Sequence, residues 1–143
     1  MSNVVDRLIS SLNAHDLDAV MRCYRADAVM VGPVVEAGHP EEIGCYFLHV
    51  WQGFPDFGLT VGEKITCGEI ITAELLVSGR QTGPYLMVGG ETLAPTGYSV
   101  SLRCCCFWNV ENDLIVSQRL YYDQLEIYAQ LGLRLPSDSE APG

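Results

Sequence analysis

Residues 3–13 place Val4, Val5, Leu8, Ile9 and Leu12 at three- and four-residue intervals among polar side chains, the spacing of an amphipathic helix. His15-Asp16 interrupts the pattern, and Asp16 can cap a second helix carrying Leu17, Val20, Met21 and Tyr24. Residues 28–35 read as a strand, stopped by Glu36-Ala37-Gly38. Pro40 suits the first turn of a third helix, with Glu41 and Glu42 near its positive end. Ile43, Phe47, Val50 and Phe54 form one stripe of that helix. Cys45, Tyr46, Leu48 and Trp51 make its flanks apolar too, so it is expected to be buried on more than one side.

From Phe57 onward the period changes to two. Residues 57–66, 70–81, 98–110 and 114–123 read as four long strands, with Gly68-Glu69 and Asn112-Asp113 as tight turns. Residues 124–131 suit a short closing helix, and the tail from 136 to 143 reads as disordered. One domain over 1–135 is the expectation. Helices followed by a run of strands indicate an α+β fold: N-terminal helices packed on a strongly curved, mostly antiparallel sheet, together a cone-shaped α+β barrel. The open end of such a cone can hold a ligand.

Strand parity says what would line it. Ile71, Ala73, Leu75 and Val77 share one face, opposite Thr72, Glu74, Ser78 and Arg80, and the same parity carries Gln81 inward. Val100, Leu102, Cys104, Cys106 and Trp108 share a face in the next strand. In the last strand Val116, Gln118, Leu120 and Tyr122 are the more apolar set and are expected to face in. Arg103, Arg119 and Tyr121 then point outward.

Composition narrows the partners. The 143 residues are 48% hydrophobic and 18% charged, enough for a core without staples. A formal charge of −10 disfavours nucleic acid and anionic membranes, leaving a neutral or weakly polar small molecule as the expected ligand. No signal pattern opens the chain and no apolar run approaches ~18 residues, so a cytoplasmic protein is expected. The six cysteines lack metal-ligand spacing and are expected to be reduced, mostly buried thiols, with no metal site.

Four short landmarks carry a more specific likeness: Asp16-Leu17-Asp18 with Tyr24 and Ala26-Asp27-Ala28; Phe54-Pro55-Asp56; Thr82-Gly83 with Pro95-Thr96-Gly97; and Asp123-Gln124 leading to Gln130-Leu131-Gly132. In this order they resemble the SnoaL-like polyketide cyclases of the nuclear-transport-factor-2-like superfamily. The resemblance implies a homodimer paired through the outer sheet face, near Arg103, Arg119 and Tyr121. It also implies a His at position 81, an acid near 106, and a His and an Asp at 118 and 120, for proton transfer in ring closure or hydroxylation. This chain has Gln81, Cys106, Gln118 and Leu120 there, none of them a conventional acid or base.

The candidate catalytic groups are therefore Tyr24, Gln81, Gln118 and Tyr122, with Tyr46, His49, Trp51, Cys106, Trp108 and Leu120 as substrate contacts. Such a wall can fold an extended apolar chain, stack on its π-system and hydrogen-bond a carbonyl. That points to a cofactor-independent cyclase acting on a polyketide-like polyene, with an intramolecular [4+2] cycloaddition as one route. Two other readings stand beside it: a binding protein without catalysis, and a proton-transfer cyclase or isomerase using Tyr24, Tyr122 or His49. The segment 83–95, four apolar residues followed by Gly89-Gly90, suits either a flap over the cone mouth or a dimer contact.

Overall fold

The computed structural model describes residues 3–87 and 89–133; the tail expected from residue 136 lies outside them. Helix α1 (Val4–Asn13) starts where the Asn3 side chain accepts the Asp6 N–H, and its buried stripe is Val4, Val5, Leu8 and Leu12. Helix α2 is one turn and a half, Leu17–Met21, capped by Asp16. Strand β1 (Tyr24–Val31) follows directly, then β2 (Glu36–Gly38) and the long helix α3 (His39–Gly53) with Pro40 in its first turn.

The long strands are β3 (Gly58–Cys67) and β4 (Ile70–Arg80), then β7 (Ser99–Glu111) and β8 (Leu114–Tyr121). Between them lies a small hairpin of β5 (Tyr85–Leu86) and β6 (Thr92–Leu93), and helix α4 (Gln124–Gln130) follows β8. One six-stranded sheet has the order β2-β1-β8-β7-β4-β3. Every neighbouring pair is antiparallel except β1 with β8. The sheet is mixed, curved and not closed, so the expected barrel is an open cone.

Both predicted turns form. Asn112 and Asp113 take φ of 50° and 58°, the left-handed pair that a two-residue hairpin needs. Asp113 also accepts the Val4 N–H and pairs with Arg7, tying this turn to the start of α1. At the other end of α1, Asn13 receives the Leu59 N–H and donates to the Leu59 carbonyl, so one amide side chain seats the helix on β3. Asp56 accepts the Arg80 N–H at 2.7 Å, a structural role that holds the turn into β3.

Three sequence expectations need correction. Tyr24 belongs to β1, not to the second helix, and β1 covers 24–31 rather than 28–35. Its spacing fits both periods, but its ring is 4% exposed and continues the inward series Ala28 and Met30. Glu36-Ala37-Gly38 is an edge strand paired with β1, not a break. In β8 the inward residue is Ile115, fully buried, and not Val116. A register shift after Asn109 sets Val110 opposite Ile115 but Asn109 opposite Ser117, so Val116 is the extra residue and the parity flips there.

Candidate active site

The concave face of the sheet, α1, α3 and α4 enclose a cavity of about 110 Å³. Ile9, Leu12 and Phe47 close the helix side; Leu75, Val100 and Leu102 form the opposite wall. The lining residues that carry polar atoms include Tyr46, Tyr85, Tyr122, Ser78, Trp108 and Gln118, with the thiols of Cys104 and Cys106. Among the described residues, no Asp, Glu, His, Lys or Arg lines it.

Six expected site residues meet at this cavity: Tyr46, Cys106, Trp108, Gln118, Leu120 and Tyr122. Tyr24, Gln81, His49 and Trp51 do not line it. Tyr24 stands one layer behind, donating its phenol hydrogen to Gln118 Oε1. Trp51 packs flat on His15, ring centroids 4.9 Å apart, while His15 Nε2 meets the Phe57 carbonyl at 2.8 Å. That stack holds helices to sheet. It does not face a ligand.

Register builds the polar end of the cavity. Trp108 of β7 and Gln118 of β8 are direct cross-strand partners, so their side chains stand side by side on the inner face. Trp108 is 1% exposed, and its indole Nε1–H has no partner. Gln118 is 3% exposed; Tyr24 occupies its oxygen, and no hydrogen bond engages its Nε2 among the described residues. A buried donor left unpaired costs about 1–3 kcal/mol, so the Trp108 N–H, with Gln118 Nε2 beside it, favours an acceptor. Both groups are neutral and keep their protons at every ordinary pH.

The phenols also stay protonated. Burial pushes Tyr24 well above the usual tyrosine range, with smaller contributions from Cys23 and Cys106. Burial does the same to Tyr46, reinforced by neighbouring Tyr122. Tyr122 is raised by burial, partly offset by its hydrogen bond with Tyr46. Tyr85 is pushed up to about 12 by burial. Above the unfolded value of 10.0, the unfolded chain releases phenol protons that the folded chain retains. Denaturant unfolding measured against pH should therefore show these tyrosines favouring the fold equally at all lower pH. For Tyr85 that contribution is then lost as pH rises from 10.0 through about 12.

A second assembly covers one side. The β5–β6 hairpin docks on the end of α3. Tyr85 stacks on His49 at 5.0 Å and meets Phe54 edge-on at 5.3 Å, and its ring lines the cavity. His49 Nε2 accepts the Leu86 N–H at 3.3 Å, which makes it a tether for the hairpin and not part of the wall. Gln81 is fully buried, and its carboxamide joins both limbs of this segment. Nε2 donates to the carbonyls of Gly83, Leu93 and Ala94, and Oε1 accepts from the Thr96 N–H and hydroxyl. Inward parity at 81 is met, but the side chain is engaged in holding the hairpin.

Sequence reasoning did not single out Tyr85 as a wall residue. The signal was available: Tyr85-Leu86 and Thr92-Leu93 flank Gly89 and Gly90, whose φ of 97° and 90° let the chain reverse. The cysteines divide evenly between expectation and exception. Cys23, Cys104 and Cys106 are buried, Cys45 and Cys67 exposed, Cys105 intermediate, and all six are free.

The SnoaL-like domain family matches residues 5–118. Comparison with curated proteins finds no match. Among solved structures, the chain is similar to a candidate SnoaL-like polyketide cyclase from Jannaschia sp. CCS1. Identity is 18%, TM-score 0.80, and the match covers 92% of this chain and 91% of that one. It is also similar to IdmH, a candidate polyketide cyclase from Streptomyces antibioticus, at 20% identity and TM-score 0.75, covering 91% and 96%. AclR, a candidate hydroxylase from Streptomyces galilaeus, aligns at 17% identity and TM-score 0.76, covering 90% and 92%. Likeness at these identities concerns the fold.

Proposed function

The chain belongs to the SnoaL-like domain family, and on that premise we propose that it is a cofactor-independent cyclase of polyketide-type biosynthesis. It takes a linear, largely apolar polyene bearing a carbonyl group and folds it for intramolecular ring closure. The observation that carries this reading is the polar end of the cavity: the buried, unpaired indole N–H of Trp108 beside the neutral Gln118 carboxamide, in a largely apolar wall with no charged side chain among the described residues.

Those donors suit a carbonyl that withdraws electrons from a dienophile, and a [4+2] cycloaddition needs no proton transferred to or from the ligand. Confinement does the rest. Even about 4 kcal/mol of the ~7–11 available from proximity gives close to a thousandfold acceleration. The Tyr85 ring of the hairpin lines the cavity, so a swing of the hairpin would widen it for an extended precursor and its return would hold the folded chain. Cyclase and hydroxylase descriptions of the similar structures are consistent with a small-molecule pocket of this kind.

The same reading covers assembly and location. The outer sheet face, where Tyr121 is 54% exposed and Arg119 lies over the Phe107 ring, pairs two copies of the chain. Among the described residues no helix is long and apolar enough to cross a membrane, and the proposed setting is the cytoplasm.

Purified protein given linear trienes with a carbonyl-activated terminal alkene tests the proposal by loss of polyene absorbance. The expected result is ring closure faster than background, with a rate constant for the bound complex that does not change between about pH 6 and 8. A bell-shaped profile would assign the chemistry to a titrating acid and base. Binding without acceleration would leave a carrier protein.

A further inference from the structure

Cys104 and Cys106 are two residues apart on β7, so both thiols stand on the inner face and line the cavity. Their Sγ atoms are 3.7 Å apart, far beyond the ~2.05 Å of a disulfide and suited to an S–H···S contact. The residues across the strands are apolar: Leu75 faces Cys104, and Ala73 and Leu120 flank Cys106. Filling that wall would need only alanine or valine. Two thiols add chemistry that packing does not require.

The contact makes the thiols unequal. The hydrogen bond with Cys106 holds the Cys104 thiol below its usual range against the opposing effect of burial. The same bond, then burial, pushes Cys106 far up. Either thiol can donate in that contact, and Cys104 is the readier of the two to lose its proton. Phenols share the cavity with that sulfur: Tyr46 and Tyr122 line it and both interact electrostatically with Cys104.

We propose that Cys104 is a reversible covalent attachment site inside the cavity, where its sulfur adds to the β-carbon of a small α,β-unsaturated ketone. The Sγ–Cβ bond forms from the sulfur electron pair, and the alkene π electrons move onto the ketone oxygen as an enolate. A phenol hydrogen of the Tyr46–Tyr122 pair receives that oxygen. The α-carbon then takes up the proton the thiol has lost, so the product is a saturated thioether ketone and nothing is oxidised or reduced. Reversal returns the enone. The site does not rest on ring closure, since the probe below has no diene.

The test uses cyclopent-2-enone, a five-membered ring of a size suited to about 110 Å³. The protein carries Cys45→Ser and Cys67→Ser, which remove the two exposed thiols. Intact mass should show a single adduct. Cys104→Ser should lower the labelling rate about tenfold or more and Cys106→Ala several-fold, while Cys105→Ser, on the opposite face, changes it less than about twofold. Circular dichroism and thermal midpoints confirm that each variant is folded. Labelling that falls on Cys105 overturns the proposal. So does its absence from the cavity at concentrations where Cys45 and Cys67 of the unsubstituted protein react.

Discussion

Gln118→Leu is expected to lower the rate of ring closure by about a hundred- to a thousandfold while changing the cavity's shape very little, the loss typical of one removed donor in a dry site. Leucine is one bond shorter than glutamine but similar in bulk, and it brings no N–H to the ligand. It also strips Tyr24 of its acceptor, leaving a phenol hydroxyl unpaired on a residue only 4% exposed. That should cost about 1–3 kcal/mol and lower the thermal midpoint. Tyr24→Phe separates the two effects. Its variant keeps the Gln118 donor but frees the amide to rotate, because Tyr24 is a positioning residue that fixes which end of Gln118 faces the cavity. Its rate should fall far less than that of Gln118→Leu, with a comparable loss of stability. Single-turnover kinetics and thermal melts on both variants give the comparison. Equal rates for Gln118→Leu and the unsubstituted protein would remove the donor pair from the account.

Gly83→Ala should have the largest effect away from the polar end. A Cβ there would lie 1.9 Å from the Gln52 carbonyl oxygen, on backbone that cannot rotate away. Either the end of α3 or the hairpin must move, and the hairpin is the smaller body. Gly83 N–H bonds the Gly53 carbonyl and the Gly83 carbonyl receives Gln81, so the hairpin's anchor goes with it. Forcing such an overlap costs about 1–3 kcal/mol, and the variant should bind ligand more weakly and release it faster. Gly53→Ala is the milder control: its Cβ would meet Tyr85 Cδ2 at 2.8 Å, the edge of a ring that can turn. Limited proteolysis between residues 83 and 97, run with and without ligand, reads the difference. Protection of Gly83→Ala equal to that of the unsubstituted chain would show that the hairpin is not held at this point.

The strand faces were readable wherever one side of a strand meets the core and the ladder is regular. Alternation in β4 and β7 alone places Leu75, Cys104, Cys106 and Trp108 on the inner wall. It failed at Val116, because a bulge changes parity without changing composition. On α3, apolar side chains surround the helix, so spacing could not tell Tyr46, which reaches the cavity, from Trp51, which turns to His15. His49 was ambiguous for the same reason; its partner is a hairpin whose two strands are each two residues long. Gln81 shows a different limit. Parity gives its direction, but its five hydrogen bonds go to backbone and a hydroxyl brought there by a loop, and no local pattern encodes that meeting. Pairing of Trp108 with Gln118 also depends on register across two strands, which is fixed only once the bulge is in place.

The account depends on two neutral donors holding a ligand's carbonyl in a largely apolar cavity, and infrared spectroscopy of a bound carbonyl-labelled linear aliphatic ketone reads that contact directly. The predicted carbonyl stretch lies below its frequency in alkane solvent, moves part of the way back in Trp108→Phe and again in Gln118→Leu, and does not shift with pH. A stretch at the alkane value in the unsubstituted protein, or one that titrates, would contradict it.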